Sequence, residues 1–289
     1  MTNENLADYD LTVVLDNDFN EITIKGLTRD EHSMLMSIMN RLKNQDTRTI
    51  EIGLAFFSSS LGRKMEPAEA VALAEHLWNK VKLIDYTPLK ISKTGKILKM
   101  KGGIPLFGSW LINVESGVLS VSINHDLEYF VNDFGKGNYS SFKLEEFTNF
   151  KTIYSQRLFV LLNQWGKVGK TPIIKKETLM EKLDVSDSYY DSTKNFHSKI
   201  LNKAIKEVRE RFPGLEVHYD KFGRTITGYY FTFEKQTHNV SYTRKDVTPK
   251  KASKTKNTKK SKHPERVTSA TMPTLDELFT PEELERLIL

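Results

Sequence analysis

The most informative segment of the chain is YYDSTKNFHSKILNKAIKEV, residues 189–208. At 100° per residue its apolar side chains fall within half of a helical wheel, which predicts an amphipathic helix. These side chains are Phe196, Ile200, Leu201, Ala204, Ile205 and Val208. The helix is predicted over residues 189–211, because Pro213 and Gly214 stop it. His197 projects toward the apolar side, so we expect a packed histidine there rather than a ligand.

The segment LEVHYDKFGRTITGYYFTF, residues 215–233, follows this helix and predicts a β-hairpin. Two strands, 215–219 and 224–233, flank a turn at 220–223, and a change of strand phase near Gly228 predicts a β-bulge. A long helix followed by a hairpin is the end of a winged helix. In that fold the helix enters the major groove of DNA and the hairpin tip contacts a phosphate backbone.

The same order of elements is predicted twice along the chain. Before the long helix we expect a helix at 150–165, a strand at 172–174 and a short helix at 176–184. In the N-terminal half, Thr28 and Glu31 form a capping box that opens a helix at 27–43. The elements expected after it are a strand at 49–52, a helix at 54–61, a helix beginning near Pro67, strands at 96–101, 109–115 and 118–124, and a short helix at 126–134.

This order predicts an α+β fold of two tandem winged-helix domains with a disordered basic C-terminal tail. The predicted divisions are an N-terminal domain at 22–135, a linker at 136–147, a C-terminal domain at 148–236 and the tail at 237–289. We expect the N-terminal domain to contact the DNA backbone. The C-terminal domain is expected to recognise specific DNA.

The polar face of the long helix is the main candidate for DNA contact, since Lys and Asn side chains bond phosphates and base edges. The alternative is an ordinary solvated face. With the hairpin tip, the candidate DNA-binding residues are Ser192, Lys194, Asn195, Ser198, Lys199, Asn202, Lys203, Lys221 and Arg224.

A second candidate is the lysine-rich segment KISKTGKILKMK, residues 90–101, with a plausible turn at Thr94-Gly95. Lys93, Lys96 and Lys99 would suit a wing that lies over phosphates. The alternative is a flexible loop that only adds solubility.

The positive charge of the chain is concentrated in the tail. Between Arg244 and Arg266 there are ten basic and two acidic residues, whereas 267–289 holds one basic and five acidic residues. The net charge of +6 therefore leaves only +2 for residues 1–243. Lys250–Lys262 has no large apolar side chain, so it is expected to be disordered, as a nonspecific DNA tether or a solubilising linker. Leu275–Leu289 predicts a short amphipathic element that docks on a partner or on the chain itself.

Several classes of protein are excluded by what the sequence lacks. There is no cysteine, none of the seven histidines has metal-ligand spacing, and there is no GxxxxGK[ST] phosphate loop. We therefore expect no enzyme activity, no metal and no cofactor. No apolar run approaches a membrane span and the N-terminus is not a signal peptide, which predicts a cytoplasmic protein.

Three segments resemble the iteron-binding initiators of theta-replicating plasmids. They are FKTIYSQRLFVLL at 150–162, the run Phe196-x-x-Lys199-Ile200-Leu201-x-x-Ala204-Ile205-x-Glu207-Val208, and Gly223-Arg224-Thr225-Ile226 leading to Tyr230-Phe231-Thr232-Phe233. The resemblance covers about 85 residues; the N-terminal half matches in element order alone.

The resemblance implies binding to direct repeats, called iterons, in double-stranded origin DNA, followed by melting of nearby DNA. It also implies recruitment of a host initiator and a replicative helicase. A homodimer, made through the N-terminal domain, is expected in equilibrium with the iteron-binding monomer, and the protein is expected to associate with the plasmid or nucleoid of a bacterium. The first alternative is a winged-helix transcriptional regulator. A rolling-circle nicking enzyme is a less favoured one, because the metal motif it needs is missing.

Overall fold

A computed structural model of the chain describes residues 10–22, 24–86, 89–91, 97–99, 102–132, 134 and 139–236. Of residues 85–86, 89–91 and 97–99 it describes the backbone alone. The predictions made for Lys93, Lys96, the Thr94-Gly95 turn and the tail at 237–289 lie outside the described residues.

The N-terminal half contains helices and strands in the predicted order, with additions. They are β1 (Thr12–Asp16), α1 (Arg29–Leu42), β2 (Ile50–Gly53), α2 (Leu54–Ser60), α3 (Pro67–Val81), β3 (Ile84–Tyr86), β4 (Leu89–Ile91), β5 (Ile97–Lys99), β6 (Gly102–Ile104), β7 (Phe107–Asn113), β8 (Val118–Ile123), a 3-10 turn (His125–Phe130), β9 (Tyr139–Lys143) and α4 (Leu144–Thr148). A further 3-10 turn, Asn17–Glu21, follows β1.

The C-terminal half contains α5 (Ile153–Asn163), β10 (Ile174–Lys175), α6 (Lys176–Lys182), a 3-10 turn (Asp187–Tyr189), α7 (Thr193–Phe196), a π-helical turn (His197–Leu201), α8 (Asn202–Val208), β11 (Glu216–Phe222) and β12 (Thr225–Thr232). The segments α7, π-turn and α8 form one continuous helix, called the long helix below, because the residues at both junctions have right-handed helical dihedrals.

The two halves have the same sheet topology, which confirms the tandem winged-helix fold. In each half a short strand pairs with the last strand of a hairpin, so the strand orders are β2-β8-β7 and β10-β12-β11. All of these pairings are antiparallel. The hairpin β7–β8 is therefore the wing of the N-terminal half, and β11–β12 is the wing of the C-terminal half.

The predicted start of α1 is confirmed by its hydrogen bonds. The amide of Glu31 donates to Thr28 Oγ1 at 3.2 Å, and the amide of Thr28 donates to Glu31 Oε2 at 2.6 Å. This reciprocal capping satisfies two amides that the first helical turn leaves without partners. Because Met34, Leu35 and Ile38 behind the cap are buried, α1 lies in the core of its domain.

The predicted linker is wrong over residues 139–147, which form β9 and most of α4. β9 pairs antiparallel with β1, a strand that the sequence analysis missed, and Phe142 and Phe147 are buried. The glycine- and serine-rich composition before Phe142 is typical of a loop. Its strand conformation depends on a partner at the other end of the domain, which local sequence cannot supply.

The lysine-rich segment forms a hairpin that is separate from the winged-helix sheet. Among the strands that the structure describes, β4 and β5 pair with each other alone, and β3 pairs with β6. These four strands lie between α3 and β7 in the chain. The expectation that this hairpin is the wing of its domain is therefore wrong, because that position belongs to β7–β8.

Candidate nucleic-acid interface

The long helix separates its apolar and polar residues as predicted. Phe196, Leu201, Ala204 and Val208 are fully buried, and Ile200 and Ile205 almost so. The predicted DNA-binding residues of this helix that are exposed to solvent are Lys194, Asn195, Ser198, Lys199, Asn202 and Lys203. Lys206, which was not among the predicted site residues, lies exposed on the same face.

Ser192 differs from the other predicted contacts, because it caps the long helix. Its side chain is half-buried and accepts a hydrogen bond from the amide of Asn195 at 3.3 Å. The cap fixes the first helical turn, where Lys194 and Asn195 are exposed. The Ser192 hydroxyl keeps its proton and one lone pair for a ligand.

The middle of the long helix is a π-helical turn, which the sequence analysis missed. It spans His197–Leu201 and contains Ser198 and Lys199. Such turns hold one more residue than an α-turn, so they rotate the residues that follow. The angular relation between Asn195 and Asn202 therefore differs from the even 100° steps that the sequence pattern assumes.

The wing β11–β12 places two cations and one aromatic side chain at its tip. Lys221, Phe222 and Arg224 are all exposed, and the two-residue loop Gly223-Arg224 joins the strands, with Gly223 at φ +61°. The tip thus lies slightly later than the predicted turn at 220–223. The predicted bulge is confirmed beside Gly228, where the register shifts after Asp220.

The wing is joined to the long helix through His197. Its Nε2 lies 2.7 Å from the hydroxyl oxygen of Tyr229 on β12, and its ring centroid lies 5.5 Å from that of Tyr219 on β11. Burial, with the nearby charge of Lys176, lowers the pKa of His197 and favours the neutral ring. His197 is therefore a packed histidine, as predicted.

The corresponding helix of the N-terminal half, α3, has a different exposed surface. Its exposed polar residues are Glu69, Glu75, His76 and Asn79. Its single lysine, Lys80, is paired with buried Glu31 at 2.5 Å. Exposed carboxylates repel DNA phosphates, so the exposed face of α3 is less suited to contact DNA than that of the long helix.

Of the predicted contacts in the lysine-rich hairpin, Lys99 alone has a described backbone, which pairs with Leu89 in β4. The hairpin geometry of this segment is confirmed at the backbone level. Contact of Lys93, Lys96 and Lys99 with phosphate stays a prediction.

The described residues hold no cluster of three or more His, Asp or Glu side chains able to bind a metal ion. His32 is buried, and its ring lies edge-on to Phe147. His218 lies 2.8 Å from the hydroxyl of Thr232. Across the part of the chain described, no helix has the length and apolar character needed to cross a membrane.

Family models match both halves of the chain. The model described as Initiator Replication protein, WH1, matches residues 12–163, and the model described as Initiator Rep protein, WH2, matches residues 175–233. The chain belongs to the family of replication initiator proteins. This membership favours the predicted initiator over the transcriptional regulator and the nicking enzyme.

Known proteins that are similar to this initiator include a relative by sequence and a solved structure. A "Probable replication protein rep" of Bifidobacterium longum (strain NCC 2705) is 24% identical over 225 residues, which is 78% of this chain and 73% of the relative. The solved structure of a Pi initiator protein in complex with iteron DNA superposes with a TM-score of 0.57 at 16% identity. That match covers 79% of this chain and 98% of the Pi chain, and it shows a shared fold.

Proposed function

We propose that this initiator binds direct repeats in double-stranded DNA at a plasmid origin, and that the long helix reads the repeat. The observation that carries the proposal is the exposed Lys and Asn face of that helix beside a wing with two exposed cations. The Pi initiator protein, which shares the fold, was solved with iteron DNA. No nucleotide or metal ion is needed for the binding step.

Within the C-terminal domain, we assign different contacts to the helix and the wing. Asn195 and Lys199 lie on the exposed face of the N-terminal half of the long helix, which reaches base edges best in a major groove. Asn can pair with adenine and Lys with guanine O6 and N7. Lys221 and Arg224, at the wing tip, suit the phosphate backbone.

For the N-terminal domain we propose phosphate contact through Lys93, Lys96 and Lys99, together with dimerisation. The acidic exposed face of α3 argues against base reading by this domain. Support for dimerisation comes from β7, an edge strand with one neighbour in its sheet. Leu111 on this strand and Val114 just beyond it are exposed apolar side chains, which suit an interface with a second copy.

The later steps of initiation are also part of the proposal. After binding, the initiator melts adjacent DNA and recruits a host initiator and the replicative helicase. All of these steps take place in the cytoplasm. The Lys-rich tail adds affinity without specificity, since its charges contact phosphates of any sequence. The Leu275–Leu289 element then docks on one of these host proteins.

An origin-dependent replication assay tests this function. A plasmid whose only replicon is this gene with its flanking DNA should replicate in a permissive host. The double variant Asn195→Ala/Lys199→Ala should abolish replication, whereas Glu75→Ala, on the exposed face of α3, should not. Replication that persists in the double variant, or binding that requires ATP, would contradict the proposal.

A further inference from the structure

The tip of the β11–β12 wing carries an exposed aromatic side chain that phosphate binding does not explain. We propose that Phe222 is a wedge that inserts between two base pairs from the minor groove and unstacks them. The inference rests on the proposed function, because duplex bound by the long helix brings a groove to the wing. It assigns Phe222 a role in the first opening of origin DNA.

Phe222 is 84% exposed, the largest fraction among the exposed apolar side chains of the described residues. A lone apolar side chain on a surface is ordinary. This one lies at the end of a hairpin, directly before the loop Gly223-Arg224, with Lys221 before it. Neither Lys221 nor Arg224 has a carboxylate within ion-pair distance among the residues that the structure describes.

An apolar side chain flanked by cations matches the chemistry of a minor-groove wedge. Proteins that unstack DNA insert Phe, Leu, Ile or Met between base steps while basic side chains neutralise the adjoining phosphates. Arg is also attracted to the negative potential of a narrow minor groove. Arg224 and Lys221 would hold the tip at the groove, and the ring of Phe222 would replace the lost base stacking.

A wedge also needs a rigid support, and the wing has one. His197 of the long helix is bonded to Tyr229 and packs against Tyr219. Phe222 lies three residues beyond Tyr219 along β11, or roughly 10 Å at the rise of a strand. The bulge after Asp220 increases the twist of the hairpin just before its tip. The two strands that carry the tip are therefore anchored to the helix that reads the site.

The experiment uses the full chain and a duplex with one copy of the sequence that the chain selects from a random pool. 2-Aminopurine replaces one base at a time, and its emission rises where a base is unstacked. The wild-type chain should raise the emission at one step beside the site. Phe222→Ala should lose that rise and bind about tenfold more weakly, while Phe222→Leu should keep most of both.

Two control variants separate the wedge from other effects. Val168→Ala removes an exposed apolar side chain near the other end of the hairpin, where Gly169 bonds Phe233, and should change neither signal. Lys221→Ala should reduce the slope of log affinity against log salt by about 0.9, whereas Phe222→Ala should leave the slope unchanged.

The outcomes distinguish the wedge from the function on which it rests. Selected binding with the same emission in Phe222→Ala as in the wild type overturns the wedge alone. An effect of Phe222→Ala only on duplexes with two adjacent sites assigns the ring to a contact between protein copies, and also overturns it. Failure of the wild-type chain to select any sequence overturns the proposed function and the wedge with it.

Discussion

The Nε2 atom of His197 lies 2.7 Å from the hydroxyl oxygen of Tyr229, and this bond joins the long helix to the central strand of the C-terminal sheet. Tyr229 is fully buried, and burial raises its pKa, so its hydroxyl keeps its proton. The bond therefore persists at neutral pH and fixes the wing against the helix.

Tyr229→Phe should lower the free energy of unfolding by about 1 kcal/mol, because it leaves the His197 nitrogen without its partner. Urea denaturation measures the loss. Tyr230→Phe on the same strand is the matched control, since its hydroxyl makes no hydrogen bond to the residues that the structure describes. Equal stability of the two variants would show that the bond contributes nothing.

Acid should destabilise the fold through His32. Burial, with the charge of Arg157, lowers its pKa to about 3, against about 6.5 in an unfolded chain. Between these values the unfolded state binds a proton that the folded state does not. Stability should therefore fall as the pH drops below about 6.5, by at most about 1.4 kcal/mol per pH unit from this residue.

Urea midpoints at pH 7, 6 and 5 test this expectation. His32→Gln should make the stability depend less on pH. The smaller contribution of His197, whose pKa is also lowered, should remain. Asp10 does not interfere at pH 5 and above: burial raises its pKa, but bonds from Lys43 and Thr12 bring it down to about 2. An unchanged slope in His32→Gln would mean that His32 is not the group responsible.

Asp184 ties the N-terminal domain to the C-terminal one. Its Oδ2 accepts hydrogen bonds from the Gly26 amide at 2.6 Å and from Arg157 at 3.2 Å, and the Arg157 side chain is only 9% exposed. Asp184→Asn should cost about 2 kcal/mol, because it leaves a buried guanidinium without its counterion. Asn is chosen because Asp184 has φ +54°, a conformation that Asn tolerates.

The matched control is Glu21→Ala, which removes the more exposed pair between Glu21 and Lys182. It should cost less than about 0.5 kcal/mol. If both variants lost the same stability in urea, the Asp184 contact would count as an ordinary surface pair.

Asn195→Ala and Lys199→Ala should each cost about 1–3 kcal/mol on the selected DNA sequence, and much less on random DNA, if they read bases. Competition binding at fixed salt measures the ratio. Phe196→Ala serves as a folding control, since its buried ring should cost about 3–5 kcal/mol of stability. A uniform loss on all DNA would instead make Asn195 and Lys199 phosphate contacts.

Changing Lys93, Lys96 and Lys99 together to Ala should weaken binding to every sequence alike. Each lost phosphate contact should lower the slope of log affinity against log salt by about 0.9. Titrations at several salt concentrations give the slope, and Lys64→Ala, at an exposed lysine before α3, is the control. An unchanged slope would show that the lysine-rich hairpin does not touch DNA.

Elements with local signals could be predicted from the amino-acid sequence alone. Thr28 and Glu31 predict the start of α1, because both partners of the cap lie within one turn. The spacing of Phe196, Ile200 and Val208 predicts which face of the long helix is buried. The same periodicity identified the exposed Lys and Asn residues. The element order repeated in both halves was sufficient for the tandem winged-helix fold.

Features that depend on partners distant in the chain could be seen only in the folded structure. Tyr139–Lys143 is a strand because β1 completes its hydrogen bonds, and the lysine-rich hairpin is separate from the wing because β7 pairs with β8. The contact of Asp184 with Gly26 and the bond from His197 to Tyr229 join segments far apart in sequence. The exposure of Phe222 likewise could not be predicted from the sequence, since an aromatic residue in a strand is buried or exposed according to what packs over it. Such contacts form between surfaces that exist only after folding, so no local pattern specifies them.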